Sequence, residues 1–332
     1  MARQDASQSQ TSVTGSKREA FSELALLSHV AKIASARSDV LVGPGDDCAV
    51  VRVQSESQLL LKVDQVIEGK HFAAGTPLEL VARKAVARVV SDIAAMGGRP
   101  SLFLAACVLP ESMSQEEATK LASSVHAWCV HFGGVCVGGD VARKASHALS
   151  LSITGVGTLE GAALLRSGAK VGDGVYVTGE IGGSFQAAAT QRDGFAGGGK
   201  HLHFEPRVRE ALWLKAHCDV HAMMDISDGL GIDAGRIARA SGAGIVIDAG
   251  AIPLSAEARD VRSAIRDGED YELLFTASGD VPKMCAETGT RLTRIGRVVQ
   301  VREEDGGAVW LQVGEQAREL CERVEHAGYQ HG

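Results

Sequence analysis

Acidic residues set beside glycine recur along this 332-residue chain: GPGDD at 43–47, GGD at 138–140 and DISDG at 225–229, with Asp64 and Asp92 between the first two. Each acid closes or follows an apolar run, which places it at the end of a strand or helix. Two carboxylates about 4 Å apart repel by roughly 4 kcal/mol at an effective dielectric near 20, so a cluster of five or six stays ionised only beside cations. Mg²⁺ suits such a site, because a hard cation takes oxygen ligands and is shared between carboxylates and substrate phosphates. The glycines allow backbone N–H groups close to a phosphate, or supply positive φ in tight turns. Any one of these tripeptides alone is ordinary turn chemistry; their combination points to a metal–phosphate site.

Within DISDG, Asp225 and Asp228 lie three apart across an expected strand-to-helix turn and can face one side, with Ser227 or Asp228 capping the helix that follows. Asp46 and Asp47 are adjacent on an extended segment and point oppositely, so one of the two is structural.

Composition bounds the remaining possibilities. Hydrophobic residues make up 45% and charged residues 23% of a chain long enough for two domains. A net charge of −7 without any Lys/Arg-rich block argues against a nucleic-acid partner, and 4% aromatic residues argue against a stacking platform for single strands. The seven cysteines lack close paired spacing and sit largely in apolar runs, as Cys107 and Cys136 do, so they read as small buried hydrophobes in a reducing compartment. His217, Cys218 and His221 offer metal-ligand types, but their run reads as the joint between a helix and a strand. No stretch approaches the roughly 18–20 unbroken apolar residues of a membrane span. A cytoplasmic protein without membrane contact is expected.

The elements that must hold the acids follow from periodicity. Residues 1–18, rich in Ser, Gln and Thr, form a disordered tail, and 18–34 has helical spacing. Strands at 48–53 and 58–63 form a hairpin. A long helix starts near Pro77 and stops at Gly97 and Gly98. A strand over 101–109, a helix over 114–133 and a strand over 135–138 form a βαβ-like run, and 149–159 adds another strand. In the second half a strand at 175–178 leads into a Gly-rich turn and a helix, and 194–199 is a flexible loop. Then come a helix started by Pro206, a strand ending at DI, a helix over 230–240, strands at 244–249 and 271–277, and a final pair near 293–299 and 308–313. The grammar of strand, acidic Gly loop and helix occurs in both halves, which makes a remote duplication conceivable.

In combination and order, the motifs GPGDDCAVV, VDQVIEGKHF, ARKAVARVVSDIAAMGGRP, GGD, LLRSGAKVGD, YVTGEIG, DISDGLGIDAGRIARASGAG and GEDYELLFT make the chain resemble the thiamine-monophosphate kinase family. That family belongs to the two-domain superfamily that includes aminoimidazole ribonucleotide synthetase, and the resemblance runs from about residue 20 to the C-terminus. It implies an α/β (α+β) fold with a mixed-sheet N-terminal domain over 19–158 that binds ATP and metal and dimerises, and a C-terminal α/β domain over 159–332. The implied reaction is Mg²⁺-assisted in-line transfer of the γ-phosphoryl of ATP to thiamine monophosphate in a homodimer. The acceptor phosphate is largely ionised near neutral pH, its second pKa being about 6, so no strong base is required.

Carried over by position, Asp47, Asp64, Asp92, Asp140, Asp225 and Asp228 are implied to hold several Mg²⁺ ions. Gly139, Asp140, Arg166 and Ser227 are implied to contact ATP, and His71, Glu269 and Tyr329 the thiamine substrate. Without the resemblance, His71 reads as capping a turn and Glu269 as bracing GEDYE. The chain departs from the family pattern at Lys62 and Val63, where hydroxyl residues are usual, at Val141 and Ala142 after GGD, and at Gly183. Lys62 either places an ammonium where a cation would sit or reaches a phosphate as a tethered charge. The alternatives are another ATP-dependent enzyme of the superfamily, or a catalytically weak paralogue that binds nucleotide or thiamine phosphate.

Overall fold

The computed structural model describes residues 38–54, 57–145, 148–184, 199–302, 306–314 and 321–328. The expected N-terminal tail and first helix, the helix expected after Gly183, nearly all of the 194–199 loop, and Tyr329 lie outside these residues. Among them, two sheets form, each with its own hydrophobic core.

The first sheet holds six strands: β1 (Val40–Val42), β2 (Ala49–Gln54), β3 (Ser57–Ile67), β4 (Arg99–Pro110), β5 (Val135–Lys144) and β6 (Ser150–Leu159), in the order β1-β2-β3-β6-β4-β5. The expected hairpin is the antiparallel β2–β3 pair, and the expected βαβ run is the parallel β4–β5 pair. β6 inserts between β3 and β4, so the sheet is mixed. Helices α1 (Leu78–Ala95) and α2 (Gln115–His131) cover one face. Ser114 and Glu117 start α2 with a reciprocal capping box.

The sequence of α1 is Ala- and Val-rich with no Gly or Pro inside, and nearly all of it is buried, including Arg83, Lys84, Ser91 and Asp92. It stops as expected: Gly97 N–H donates to Ala94 O and Gly98 N–H to Ile93 O, with Gly97 at φ 71°, a left-handed C-terminal cap. Ala94 and Ala95 at its end join a third cluster with Tyr176, Leu214, Met223 and Phe275 of the other half. One helix therefore belongs to both halves of the molecule.

The second sheet holds β7 (Gly174–Thr178), β8 (Asp219–Asp225), β9 (Gly244–Asp248), β10 (Leu273–Ser278), β11 (Leu292–Val299), β12 (Val309–Gln312) and β13 (Cys321–Arg323), in the order β13-β12-β9-β11-β7-β10-β8. Its helices are α3 (Lys200–His203), α4 (Val208–His217), α5 (Leu230–Ala240) and α6 (Val261–Arg266). The expected final pair of strands is not a pair: β9 lies between β11 and β12, antiparallel to the first and parallel to the second. β12 alternates buried and half-exposed residues, whereas β11, bulged between Arg294 and Gly296, buries every third residue; neither pattern specifies a neighbour, so periodicity could not choose the partner. His217 and His221 flank the joint between α4 and β8; His217 Nδ1 lies 2.9 Å from Trp213 O and His221 Nδ1 2.9 Å from Asp173. No described helix is long and apolar enough to cross a membrane.

Candidate active site

Four separate elements bring their acids to the seam between the two halves. Asp47 lies in the loop before β2, where Cys48 N–H is fixed on Met96 Sδ. Asp64 lies on β3, Asp92 in the last turn of α1, and Asp225 at the end of β8. Asp47, Asp92 and Asp225 are buried, and each points a carboxylate oxygen to within 4.8 Å of the others. Asp47 Oδ2 is buried without a hydrogen-bond partner. Three crowded carboxylates with one orphaned oxygen match the donor set of a hard divalent cation.

Protein donors hold one oxygen of each of these three acids. Arg166 Nη2 donates to Asp47 Oδ1 at 2.6 Å, Ser91 Oγ donates to Asp225 Oδ2 at 2.6 Å, and Lys62 Nζ donates to Asp92 Oδ1 at 2.9 Å. Asp64 sits between Lys62 Nζ at 3.7 Å and Arg88 Nε at 3.3 Å. Burial opposes ionisation of Asp64, but Lys62 and Arg88 outweigh it and hold the carboxyl below its usual range. Asp225 and Asp92 behave oppositely. Burial, reinforced by Asp47, pushes Asp225 up to about 6, and burial pushes Asp92 well above the usual carboxylate range even with Lys62 opposing.

From the acids, a line of charges runs along α1. Lys84, Arg88, Ser91 and Asp92 fall at helical spacing on one stripe of a helix whose other polar residues are Glu79 and Arg83. Arg88 Nη1 lies 3.6 Å from Glu269 Oε1, and Lys84, fully buried, donates to Glu269 Oε2 at 2.9 Å and to His71 O at 2.6 Å. Burial opposes ionisation of Glu269, and Lys84 and Arg88 reverse the balance, holding its carboxyl low. His71 Nδ1 accepts from Ile67 N–H, so the ring does cap a turn; burial, with Arg88 adding, pushes its pKa down to about 4 and leaves the ring neutral near pH 7. The loop of Glu269 is strained, with positive φ at Glu269 (63°) and Tyr271 (52°). Glu269 N–H on Ser227 O, Tyr271 N–H on Ile226 O and stacking of Tyr271 on Phe204 hold it.

Of the six acids singled out in the sequence, the fold gathers three and sets Asp64 beside them through Lys62. Asp228 pairs with Arg236. Asp140 is not brought in. It is exposed and pairs across the sheet with Ala106 of β4, on the face away from the helices and three strand spacings, about 14 Å, from β3. Gly139 beside it admits no side chain, since a Cβ there would stand 1.8 Å from Ala105 O. The capping expected of Ser227 or Asp228 is corrected: Gly229 is the N-cap of α5 without a side-chain bond, and Asp233 reaches back to accept from the N–H groups of Ser227, Asp228 and Gly229. Those amides, expected to face phosphate, are taken by a carboxylate that outcompetes solvent at the helix start. Asp46 is the structural member of its pair, accepting from Asp47 N–H and Arg166 N–H.

Sequence reasoning missed Lys84, Arg88, Ser91 and Asp233. The first three had a signal, polar residues at i, i+4 and i+7 within a run of Ala, Val and Ile; Asp233 had none beyond standing in the first turn of its helix.

Comparison with known proteins identifies the family. The chain matches the model of AIR synthase related protein, N-terminal domain, over residues 45–159 and its C-terminal domain over 170–330. It is 34% identical to thiamine-monophosphate kinase from Rhodopirellula baltica over 312 residues, 88% of this chain and 92% of that protein. The crystal structure of thiamine-monophosphate kinase from Stenotrophomonas maltophilia superposes with a TM-score of 0.69 at 31% identity, covering 88% of this chain and 96% of the other. The structure of AaThiL complexed with AMPPCP and TMP gives 0.73 at 28% identity, with 91% and 96% covered. On sequence, fold and domain order together, the chain belongs to the AIR synthase related family and, within it, to the thiamine-monophosphate kinases.

Proposed function

We propose that the protein transfers the γ-phosphoryl group of ATP to thiamine monophosphate, giving thiamine diphosphate and ADP. The observation that carries this reading is the convergence of Asp47, Asp92 and Asp225 from three elements, with an orphaned buried oxygen among them. These donors suit Mg²⁺, with Asp64 and Asp228 flanking them. A divalent cation held there supplies neutralisation of phosphate charge.

The chain's own residues supply position. Arg166 stands over Asp47 with its guanidinium partly exposed and turns naturally to a phosphate oxygen by bidentate donation. Ser227 adds its hydroxyl on the nucleotide side, whereas Gly139 and Asp140 lie on the open face of the first sheet. Glu269, oriented by Lys84 and Arg88, and neutral His71 stand at the acceptor end; Tyr329, outside the described residues, is assigned to the same substrate by the family resemblance alone. Because the acceptor oxygen is already ionised, these groups need only align it with the γ-phosphorus and keep water out.

The homodimer fits the open face of the first sheet. Leu61, Val63, Leu102, Leu104 and Val135 are exposed there, Val63 by 59%, and successive strands align them in rows. A second copy covering this face would also bury Asp140, which lies on it. In this reading the boundary between domains falls near residue 159.

The test is product analysis with ATP, Mg²⁺ and thiamine monophosphate, against thiamine and against no acceptor. Thiamine diphosphate from the monophosphate alone is expected. Binding of both substrates without turnover would favour a non-catalytic paralogue, the reading that the Lys62–Asp92 pair supports.

A further inference from the structure

We propose that the Lys62 ammonium takes the place of one divalent cation in the acidic site, so that this chain binds one ion fewer than its carboxylates would otherwise demand. The inference rests on the reading of these acids as a metal site.

Lys62 points to the helix-covered face of its sheet, between exposed Leu61 and Val63, and its side chain is 22% exposed. Its Nζ lies 2.9 Å from Asp92 Oδ1 and 3.7 Å from Asp64 Oδ1. An ion bridging those two oxygens would have to occupy the position of the ammonium. The other oxygen of Asp64 faces Arg88 at 3.3 Å, so both oxygens of this carboxylate already face protein cations.

The opposite side of the site is open. Asp47 Oδ2 is buried and unpartnered, and Asp47, Asp92 and Asp225 keep ligand atoms within 4.8 Å of one another. Four carboxylates, Asp47, Asp64, Asp92 and Asp225, thus meet three fixed cations, Lys62, Arg88 and Arg166. One negative charge is left over where removal of Lys62 would leave two. The site divides into a half closed permanently by tethered charge and a half left for exchangeable metal. Lys62 is a positioning residue in this scheme, holding Asp64 and Asp92 in place whether or not metal is present.

The experiment counts Mn²⁺ bound per chain by electron paramagnetic resonance, in the presence of AMPPCP, for wild type, Lys62→Ser and Lys62→Arg. Lys62→Ser should bind one more Mn²⁺ than wild type, and Lys62→Arg should match wild type. Equal, non-zero counts for wild type and Lys62→Ser overturn the proposal while leaving the metal site intact. A wild type that binds no Mn²⁺ overturns the metal-site reading, and the proposal with it. If Lys62→Ser is unfolded in chelator by circular dichroism, Mn²⁺ should restore it, since an ion can take the vacated place; failure to restore the fold overturns the proposal.

Discussion

Substitution of Lys84 tests the charge line along α1 most directly. Its side chain is fully buried and its ammonium reaches Glu269 and the carbonyl of His71. Lys84→Met keeps the apolar stem and removes the charge. Removing one partner of a buried ion pair destabilises by about 3–5 kcal/mol, because the other charge is left uncompensated. Glu269 is 23% exposed and retains Arg88 at 3.6 Å, which places the expected loss at the lower end, about 3 kcal/mol. For domains of this size each kcal/mol lowers Tm by about 2–4 °C, so the melting transition should fall by roughly 6–12 °C. Differential scanning calorimetry reads this. The double variant Lys84→Met/Glu269→Gln removes both charges and should recover most of the loss, giving a coupling energy above about 1 kcal/mol. A fall of less than about 1 kcal/mol in the single variant, or a double variant no more stable than the single, would refute the argument that the pair is buried and mutually dependent.

Other predictions concern the acids, the pH response and the open sheet face. Asp92→Asn and Asp225→Asn should each lower kcat/KM by roughly 100-fold, about 3 kcal/mol of lost charge stabilisation; turnover like wild type in both would remove these residues from the site. In chelator the same variants should melt no lower than wild type, and Asp225→Asn higher, because one of three mutually repelling carboxylates is gone. His201 is fully buried, and burial, with Lys84 adding, pushes its pKa down to about 4 from a usual value near 6.5. The unfolded chain therefore takes up a proton in that window while the folded chain does not, and stability present above pH 6.5 is lost as pH falls toward 4, by about 3 kcal/mol from this group. His201→Gln should flatten that part of the urea-midpoint profile, and an unchanged profile would count against the assignment. Leu104→Asp places a charge in the exposed apolar rows of the first sheet and should shift sedimentation of the proposed dimer to monomer; a variant that sediments as wild type speaks against that face as the interface.

How much was legible in the chain depended on whether a feature was local. The stop of α1 at Gly97 and the joint at His217 are written in neighbouring residues, and they appear as read. The acids were visible as types, and their placement at element ends was right for Asp47, Asp92 and Asp225. What could not be read was which face of a strand each acid would take relative to distant elements. Asp140 follows a bulge in the β4–β5 register between Phe103 and Leu104, and a one-residue shift decides the face of every side chain after it. The partner of Lys62 was similarly hidden, since it lies 30 residues away on a helix whose rotation about its axis is fixed by packing. The position of β9 between β11 and β12 depends on pairing alternatives that no single strand encodes. Strong local rules gave elements, and long-range pairing gave the site.

Helix α1 has a consequence for how this fold can be recombined. In sequence it belongs wholly to the first half, yet its last turn packs with Tyr176 and Phe275 and its polar stripe grips Asp225 and Glu269. A chimera joined near residue 160 would look like a clean exchange of modules and would split every one of those contacts between two parent sequences. The inheritable unit is the helix together with the loops at 225–228 and 269–272, a non-contiguous piece that crosses the apparent boundary. Grafts that carry Lys84, Arg88, Ser91 and Asp92 along with the second half should retain a working seam, whereas grafts cut at the boundary should fold into two sound lobes facing a mismatched site.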